Sequence, residues 1–551
     1  MKTTLSAAAA ILGCAFLYSA CSSDLPASSG GSSGTGAQPS GASGSSTGTA
    51  GTTSPGASGT GTAGTGTGTA GTGTTTGGTP GAGGSGTITA GSGGTTSNGG
   101  SGAGGGSTGG TPSGITVALA TELQTMDGFG INNVFQPEFP TNYLDTLFGT
   151  GDGQIGLTIM RVGMSSDGSL MNGANDVKGA NTRGVKTFIG SAWTAPANCK
   201  TNNNTQAGGF IKDDTCLDSW SKTIAAFPAK FKTATGVDLT AMSPANEPDF
   251  ASCGLMEPCN GNYDTMLWKA SDAVKLVNKV GPLLKALTPP VKLITPEASE
   301  WIHLWTNESA TGSVPGNKPS SNPLMGKDYD YGHAFFADKT AWGNIDIIGV
   351  HQYDTQKAYP WPTDVTEKKA IWETEMSGVA WWPEQGPSTD IANGVVVAGW
   401  IHDALVNGPA SAWLWWWPKP LADSGGGNVT NDNEGLWLQD GTKTKRLYTL
   451  GNYSKFIRPG YKRVDITGNT STDLLLTAFK GTDGTVVIVA INKGAAAVTV
   501  PIAISGTAPA MLTPYVTSAT DDLAKKTAIA VTGGSFMAAL DTKTVTTFTG
   551  K

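Results

Sequence analysis

Eight apolar, strand-like runs separated by helical or loop segments constrain this chain more than any other feature. They fall at residues 129–134, 157–163, 185–193, 239–246, 291–297, 345–353, 370–375 and 412–417. Between them, residues 220–232, 265–287 and 390–406 repeat apolar side chains at helical spacing, with Gly or Pro where the next connection starts. Such alternation predicts an α/β fold, and eight strands predict a (β/α)8 TIM barrel over residues 128–443. Barrels of this kind keep their chemistry where the carboxyl ends of the strands give way to loops.

After Trp417 the pattern changes. Residues 448–456 read as a last barrel helix. From Tyr461 onward, alternating runs such as 474–479 and 485–491 read as antiparallel strands, so residues 444–551 are expected to hold that helix and an associated β-sandwich side domain. The leading segment 115–127 has the same alternation over 115–123 and is expected to join the sandwich before the chain enters the barrel.

Ahead of the folded part, residues 1–20 read as a secretory signal: Lys2, an apolar run over 5–18, then Ser19 and Ala20. Cys21 follows at once, in a setting that resembles a bacterial lipoprotein cleavage box, with Cys14 as a weaker rival and an ordinary signal peptide as the alternative. Cys21 is therefore expected to carry lipid, making the chain an exported cell-surface or outer-membrane lipoprotein, with release into the medium as the other outcome. Residues 21–114 are almost wholly Gly, Ser, Thr, Ala and Pro. Such a segment buries too little apolar surface to order itself, and as a flexible tether of about 90 residues it would span on the order of 50 Å. The net charge of −7 is mild and spread out, with no Lys/Arg cluster of the kind nucleic acid requires. Four cysteines remain for the folded part, and proximity favours disulfides Cys199–Cys216 and Cys253–Cys259 in an oxidising compartment. Neither these nor the four histidines show metal-ligand spacing, so no metal or cofactor is expected.

Two strand ends carry carboxylates. Glu247 closes the fourth run in Ser243-Pro244-Ala245-Asn246-Glu247-Pro248-Asp249, and Glu375 closes the seventh in Trp372-Glu373-Thr374-Glu375. Two carboxyl groups facing each other across a barrel mouth suit glycoside hydrolysis, one protonating the leaving oxygen and one attacking the anomeric carbon. Glu247 is the expected acid/base and Glu375 the expected nucleophile; a negative Glu375 would keep a proton on its neighbour. Glu373 competes with Glu375, since residues two apart on a strand point the same way, but Glu375 lies nearer the strand end. Arg161, on the second strand, is expected to hold Glu375 ionised, with a salt bridge to Glu373 as the competing role. Sugar rings dock on aromatic faces, and Trp193 and Trp416 are the candidates. Strand alternation would send Trp413, Trp415 and Trp417 to one side and Trp416 to the other. Trp301, Trp305, Trp381 and Trp382 are candidates for outer subsites.

From Gln124 to Phe548 the sequence resembles glycoside hydrolase family 30, most of all its bacterial xylanase branch. The boxes around Glu247 and Glu375 carry the likeness, with Lys445-Arg446-Leu447-Tyr448 and Phe456-Ile457-Arg458-Pro459-Gly460-Tyr461. Gly128-Phe129-Gly130, Met160-Arg161, Ser191-Ala192-Trp193 and the run 486–493 support it. The resemblance implies a retaining endo-acting hydrolase of β-1,4-xylan, with Asn246 on the sugar's 2-hydroxyl and Tyr353 beside the nucleophile. Alternatives are a β-1,6-glucanase or β-1,6-galactanase, or a non-catalytic carbohydrate-binding surface protein. A polysaccharide is the expected partner, the membrane enters only through the lipid anchor, and the chain is expected to act as a monomer. Xylanases of that branch hold a glucuronate branch with an arginine just after the eighth strand, where this chain has Trp417-Pro418-Lys419-Pro420. Dependence on glucuronate is therefore expected to be weak.

Overall fold

In the computed structural model, which describes residues 114–250, 264–307, 325, 328–353, 356–378, 389–419 and 434–551, eight parallel strands close into a barrel. The signal segment, Cys21, the linker up to residue 113, Cys253, Cys259, Trp381 and Trp382 lie outside the described residues.

The chain enters through β1 (Ile115–Thr125) and then supplies the barrel strands. These are β2 (Gly128–Asn132), β3 (Ile159–Met164), β4 (Thr187–Ala192), β5 (Ala241–Ser243), β6 (Lys292–Ala298), β7 (Ile347–His351), β8 (Ala370–Met376) and β9 (Ala410–Trp415). Each falls within or against one of the eight apolar runs, and β9 returns to pair with β2. The barrel interior is filled by Ile159, Ile189, Ala241, Ile294, Ile347, Trp372, Ala412 and Leu414, one or two from each of β3 to β9, so it is a packed core. The observed strands are mostly shorter than the runs. β5 stops at Ser243 because Pro244 has no N–H to continue the ladder. β9 stops at Trp415, so alternation does not extend to Trp417.

Helix limits follow from caps that apolar spacing does not see. The helix Asp214–Thr235 begins ahead of the predicted start because the Asp213 side chain accepts from Cys216 N at 2.8 Å, and it ends at Gly236, whose φ of 74° suits a residue without Cβ. The disulfide Cys199–Cys216 forms as expected and ties the segment after β4 to the first turn of this helix.

The side domain is a ten-stranded sheet folded as a sandwich. Besides β1 it contains β10 (Lys462–Thr467), β11 (Leu474–Lys480), β12 (Val486–Asn492), β13 (Val498–Ser505), β14 (Met511–Thr517), β15 (Ala524–Lys525), β16 (Ile529–Ala530), β17 (Ser535–Leu540) and β18 (Thr544–Gly550). β1 lies antiparallel to β10 and parallel to β13, so the chain's leading strand sits inside a sheet otherwise built from its last hundred or so residues. Alternation sorts the strands' two faces. Ile488, Ala490, Phe536 and Phe548 fill the sandwich's own core, while Val487, Val489, Ile491 and Val545 share the core of the barrel helices.

Asn452, on the helix Lys445–Ser454, holds the two domains together at a fully buried point. Its amide nitrogen donates to Tyr515 O and Thr547 Oγ1, both at 3.0 Å, and its Oδ1 accepts from Thr517 Oγ1 at 2.6 Å. Replacing it with alanine strands these partners in a dry interior. Asn452→Ala is expected to cost about 2 to 3 kcal/mol and to lower the calorimetric Tm by several degrees, and an unchanged Tm would refute that coupling.

Candidate active site

The carboxyl ends of the barrel strands converge on Arg161, which is fully buried. Its Nε and Nη2 donate to Glu297 Oε1 and Oε2, each at 3.0 Å, in a two-pronged pair. Nη1 donates to Glu375 Oε2 at 2.7 Å and Asn132 Oδ1 at 2.9 Å, and Nη2 also reaches Asn246 Oδ1 at 2.6 Å and Ser191 Oγ at 3.1 Å. The expected Arg161–Glu375 contact is therefore present. The competing salt bridge to Glu373 is not; the second carboxylate on Arg161 is Glu297.

Glu373 lies beneath Glu375 and is fully buried, its Oε1 accepting from Glu375 N at 3.1 Å and its Oε2 from Leu414 N at 3.2 Å. Burial pushes its carboxyl well above the usual range, and Arg161 reaches it too weakly to reverse that. Glu375, by contrast, sits at the mouth with Arg161 on one oxygen and Tyr353 OH donating to the other at 3.2 Å.

Glu247 faces Glu375 from the end of β5. Its side chain is 12% exposed, and a carboxylate oxygen lies 3.1 Å from His351 Nδ1. One carboxylate oxygen of Glu247, one of Glu375 and a ring nitrogen of His351 all lie within 4.8 Å of one another. These three could in principle ligate a cation, but the Arg161 guanidinium already holds Glu375 and would repel one. Burial holds His351 below its ordinary pKa, and its Nδ1 can accept from a protonated Glu247 or, when it carries a proton, donate to an ionised one.

Trp193 and Trp416 stack with ring centroids 6.1 Å apart, and Phe135 meets Trp193 edge-on at 5.5 Å. Arg161 Cζ lies 5.0 Å from the Trp193 ring centre, a cation–π contact. Trp417 stacks on Trp416 at 4.9 Å and belongs with Trp193, Trp416 and Val134, whereas Trp413 and Trp415 pack into the helix-side core. The expected grouping of Trp417 with Trp413 and Trp415 is thus wrong, because regular alternation ends with β9. Trp301 and Trp305, candidates for outer subsites, are buried, at 1% and 8% exposure. Glu297, His351, Ser191 and Asn132 are site residues the sequence reading missed.

Two carboxyl groups so close, ringed by a buried cation, a phenol and an amide and with indoles beside them, make a candidate active site suited to glycoside hydrolysis. Residues 460–548 match the glycosyl hydrolase family 30 beta sandwich domain. The chain is 26% identical over 453 residues to glucuronoxylanase XynC of Bacillus subtilis (strain 168), covering 79% of this chain and 91% of that protein. It superposes on the glycoside hydrolase family 30 subfamily 8 xylanase Xyn30A of Clostridium acetobutylicum with TM-score 0.62 at 26% identity, covering 80% of this chain and 100% of the other. A GH30 endoxylanase from Clostridium papyrosolvens C71 shares the fold with TM-score 0.60 at 24% identity, covering 80% and 100%. The carboxy-terminal domain is thus that of glycoside hydrolase family 30, and over most of its length the chain is similar to xylanases of that family.

Burial raises the Glu375 carboxyl from 4.5 to about 7, against the pull of His351 and Arg161. The folded chain therefore binds a proton there that the unfolded chain has already released. That contribution to stability is complete below the unfolded value and is lost as pH rises through about 7. Arg161 keeps a counter-charge in Glu297, so the neutral variant strands nothing. Glu375→Gln is expected to raise the Tm relative to the parent at pH 8 and to give no gain at pH 5. A gain of equal size at both would show that the charge is not its source.

Proposed function

We propose that the chain is a retaining, endo-acting hydrolase of β-1,4-xylan, with Glu247 as acid/base and Glu375 as nucleophile. The observation that carries this is that one oxygen of each carboxylate lies within 4.8 Å of the other, which fits the close spacing of retaining hydrolases better than the wider spacing of inverting ones and favours direct attack on the sugar. In the first step a Glu375 oxygen bonds to the anomeric carbon as the glycosidic bond breaks and the Glu247 proton passes to the leaving oxygen. In the second, Glu247 takes a proton from water as that water attacks the same carbon and releases Glu375. Tyr353 and Arg161 each hold one oxygen of Glu375, leaving a lone pair on each for attack. Arg161 also fixes the Asn246 amide with its oxygen inward, so Nδ2 is the group offered to a sugar hydroxyl. Trp193 and Trp416 floor the site. Xylan as the polymer is supported by the xylanase relatives, and a polymer outside the cell is the substrate that the leader expected at residues 1–20 would bring the chain to.

Two measurements test the roles. An activated fluorosugar is expected to leave a covalent adduct on Glu375, with kcat/KM falling below about pH 7 as that carboxyl takes up its proton. An adduct on Glu373 would overturn the assignment. Glu247→Ala is expected to slow natural xylan far more than an aryl glycoside with a good leaving group, and equal losses would refute the acid role.

The arginine that would clasp glucuronate has no counterpart in Trp417-Pro418-Lys419-Pro420 or in the Gly-rich stretch 424–428 that follows. Lys419 lies there, and Arg446 is buried with Nε donating to Gly435 O at 2.6 Å and its charge over Trp415. A missing two-pronged contact is worth about 1.5 to 3 kcal/mol, or roughly tenfold to a hundredfold in preference. Glucuronoxylan and arabinose-branched xylan are therefore expected to be cut at comparable rates. Products ending at a fixed distance from each glucuronate would refute this.

A further inference from the structure

Glu297 is the one fully buried carboxylate on Arg161 that the reaction does not use, and its backbone is unusual. The β6–β7 register slips between Pro296 and Ala298, which makes Glu297 the extra residue of a bulge, with φ 58°. A bulge re-aims a side chain, and here it turns a carboxylate to the barrel axis. Glutamate in the left-handed region is strained and persists only where its surroundings hold it there. Glu247 is in the same region, φ 45°, and its N–H donates to Glu297 O at 3.0 Å. The two strained glutamates therefore lock each other across adjacent strand ends. We infer that Glu297 is a positioning residue for the carboxylate pair, orienting Arg161 toward Glu375 through its side chain and holding Glu247 through its backbone oxygen. This rests on the reading of Glu375 as nucleophile.

The charges around Glu375 give the inference a sign. Facing it are Glu373 on its own strand, Arg161 from β3, Glu247 after β5, Glu297 from β6, and His351 and Tyr353 from β7 and its end. Arg161 is divided. Glu297 takes two of its N–H groups in a fork and receives a Ser191 Oγ donor at 2.5 Å, while Glu375 takes one. Burial would raise Glu297, but Arg161, His351 and the Ser191 hydroxyl together hold it below the ordinary carboxylate value, so it stays charged and repels a negative Glu375. Without that charge Arg161 serves Glu375 alone, and the nucleophile ionises more readily.

The test is the pH dependence of fluorosugar labelling at Glu375, followed by mass spectrometry, in the parent, Glu297→Gln and Ser191→Ala chains. Glu297→Gln is expected to move the acidic limb down by roughly one pH unit while slowing labelling overall. Ser191→Ala, which removes only a hydroxyl and leaves Glu297 more dependent on Arg161, is expected to move it up. A slower reaction with an unmoved limb in Glu297→Gln would mean a merely structural role and overturn the inference alone. If Glu297→Gln does not fold, an unmoved limb in Ser191→Ala overturns it equally. Parent labelling that lands away from Glu375 removes the nucleophile reading and this inference with it.

Discussion

The buried guanidinium of Arg161 is the constraint around which the barrel mouth is arranged. Taking such an ion out of water costs several kcal/mol even after relaxation, and the cost is met only if its donors are satisfied and its charge is balanced. Asn132 from β2, Ser191 from β4, Asn246 after β5, Glu297 from β6 and Glu375 from β8 all touch it. The strand ends are thus registered to one another by a shared cation as well as by backbone ladders. Balance is overshot, since two carboxylates meet one guanidinium. That surplus negative charge, together with burial, keeps Glu375 reluctant to ionise.

Strain is concentrated at the same place. Glu247 and Glu297 both have left-handed backbone, and both lie where regular pairing fails, one beyond a strand shortened by Pro244 and the other at a bulge. Regular strands would alternate these side chains in and out. Departing from regularity lets neighbouring strand ends each send a carboxylate inward, at a cost the surrounding packing must cover.

The barrel was legible because eight apolar runs and their helical spacers are a redundant signal, and the sandwich because alternation over several strands is another. That Glu247 and Glu375 face each other at the barrel mouth was legible because each sits in a motif at a strand end. Glu297 was not: Thr295-Pro296-Glu297 closes an apolar run like any other, and nothing local announces a bulge that turns its carboxylate inward. His351 and Ser191 were passed over because a lone histidine or serine on a buried strand carries no pattern; only convergence in space gives them meaning. The Trp417 error has the opposite cause, a periodic rule carried two residues past the end of its strand.

The aromatic floor shows why packing and contact were hard to separate for Trp193 and Trp416. Trp193 is 3% exposed and Trp416 9%, which by itself would class both as core. Yet the Trp193 ring lies over Arg161, so its burial is against the ion network. An indole there excludes water from one side of the guanidinium, and with water excluded each contact to Glu375 and Glu297 is stronger. The same ring can seal the charged cluster beneath it and leave an edge toward the cleft. Removing it would therefore disturb the ionisation of Glu375 as well as any stacking with a sugar, and for Trp193 the two roles are one arrangement.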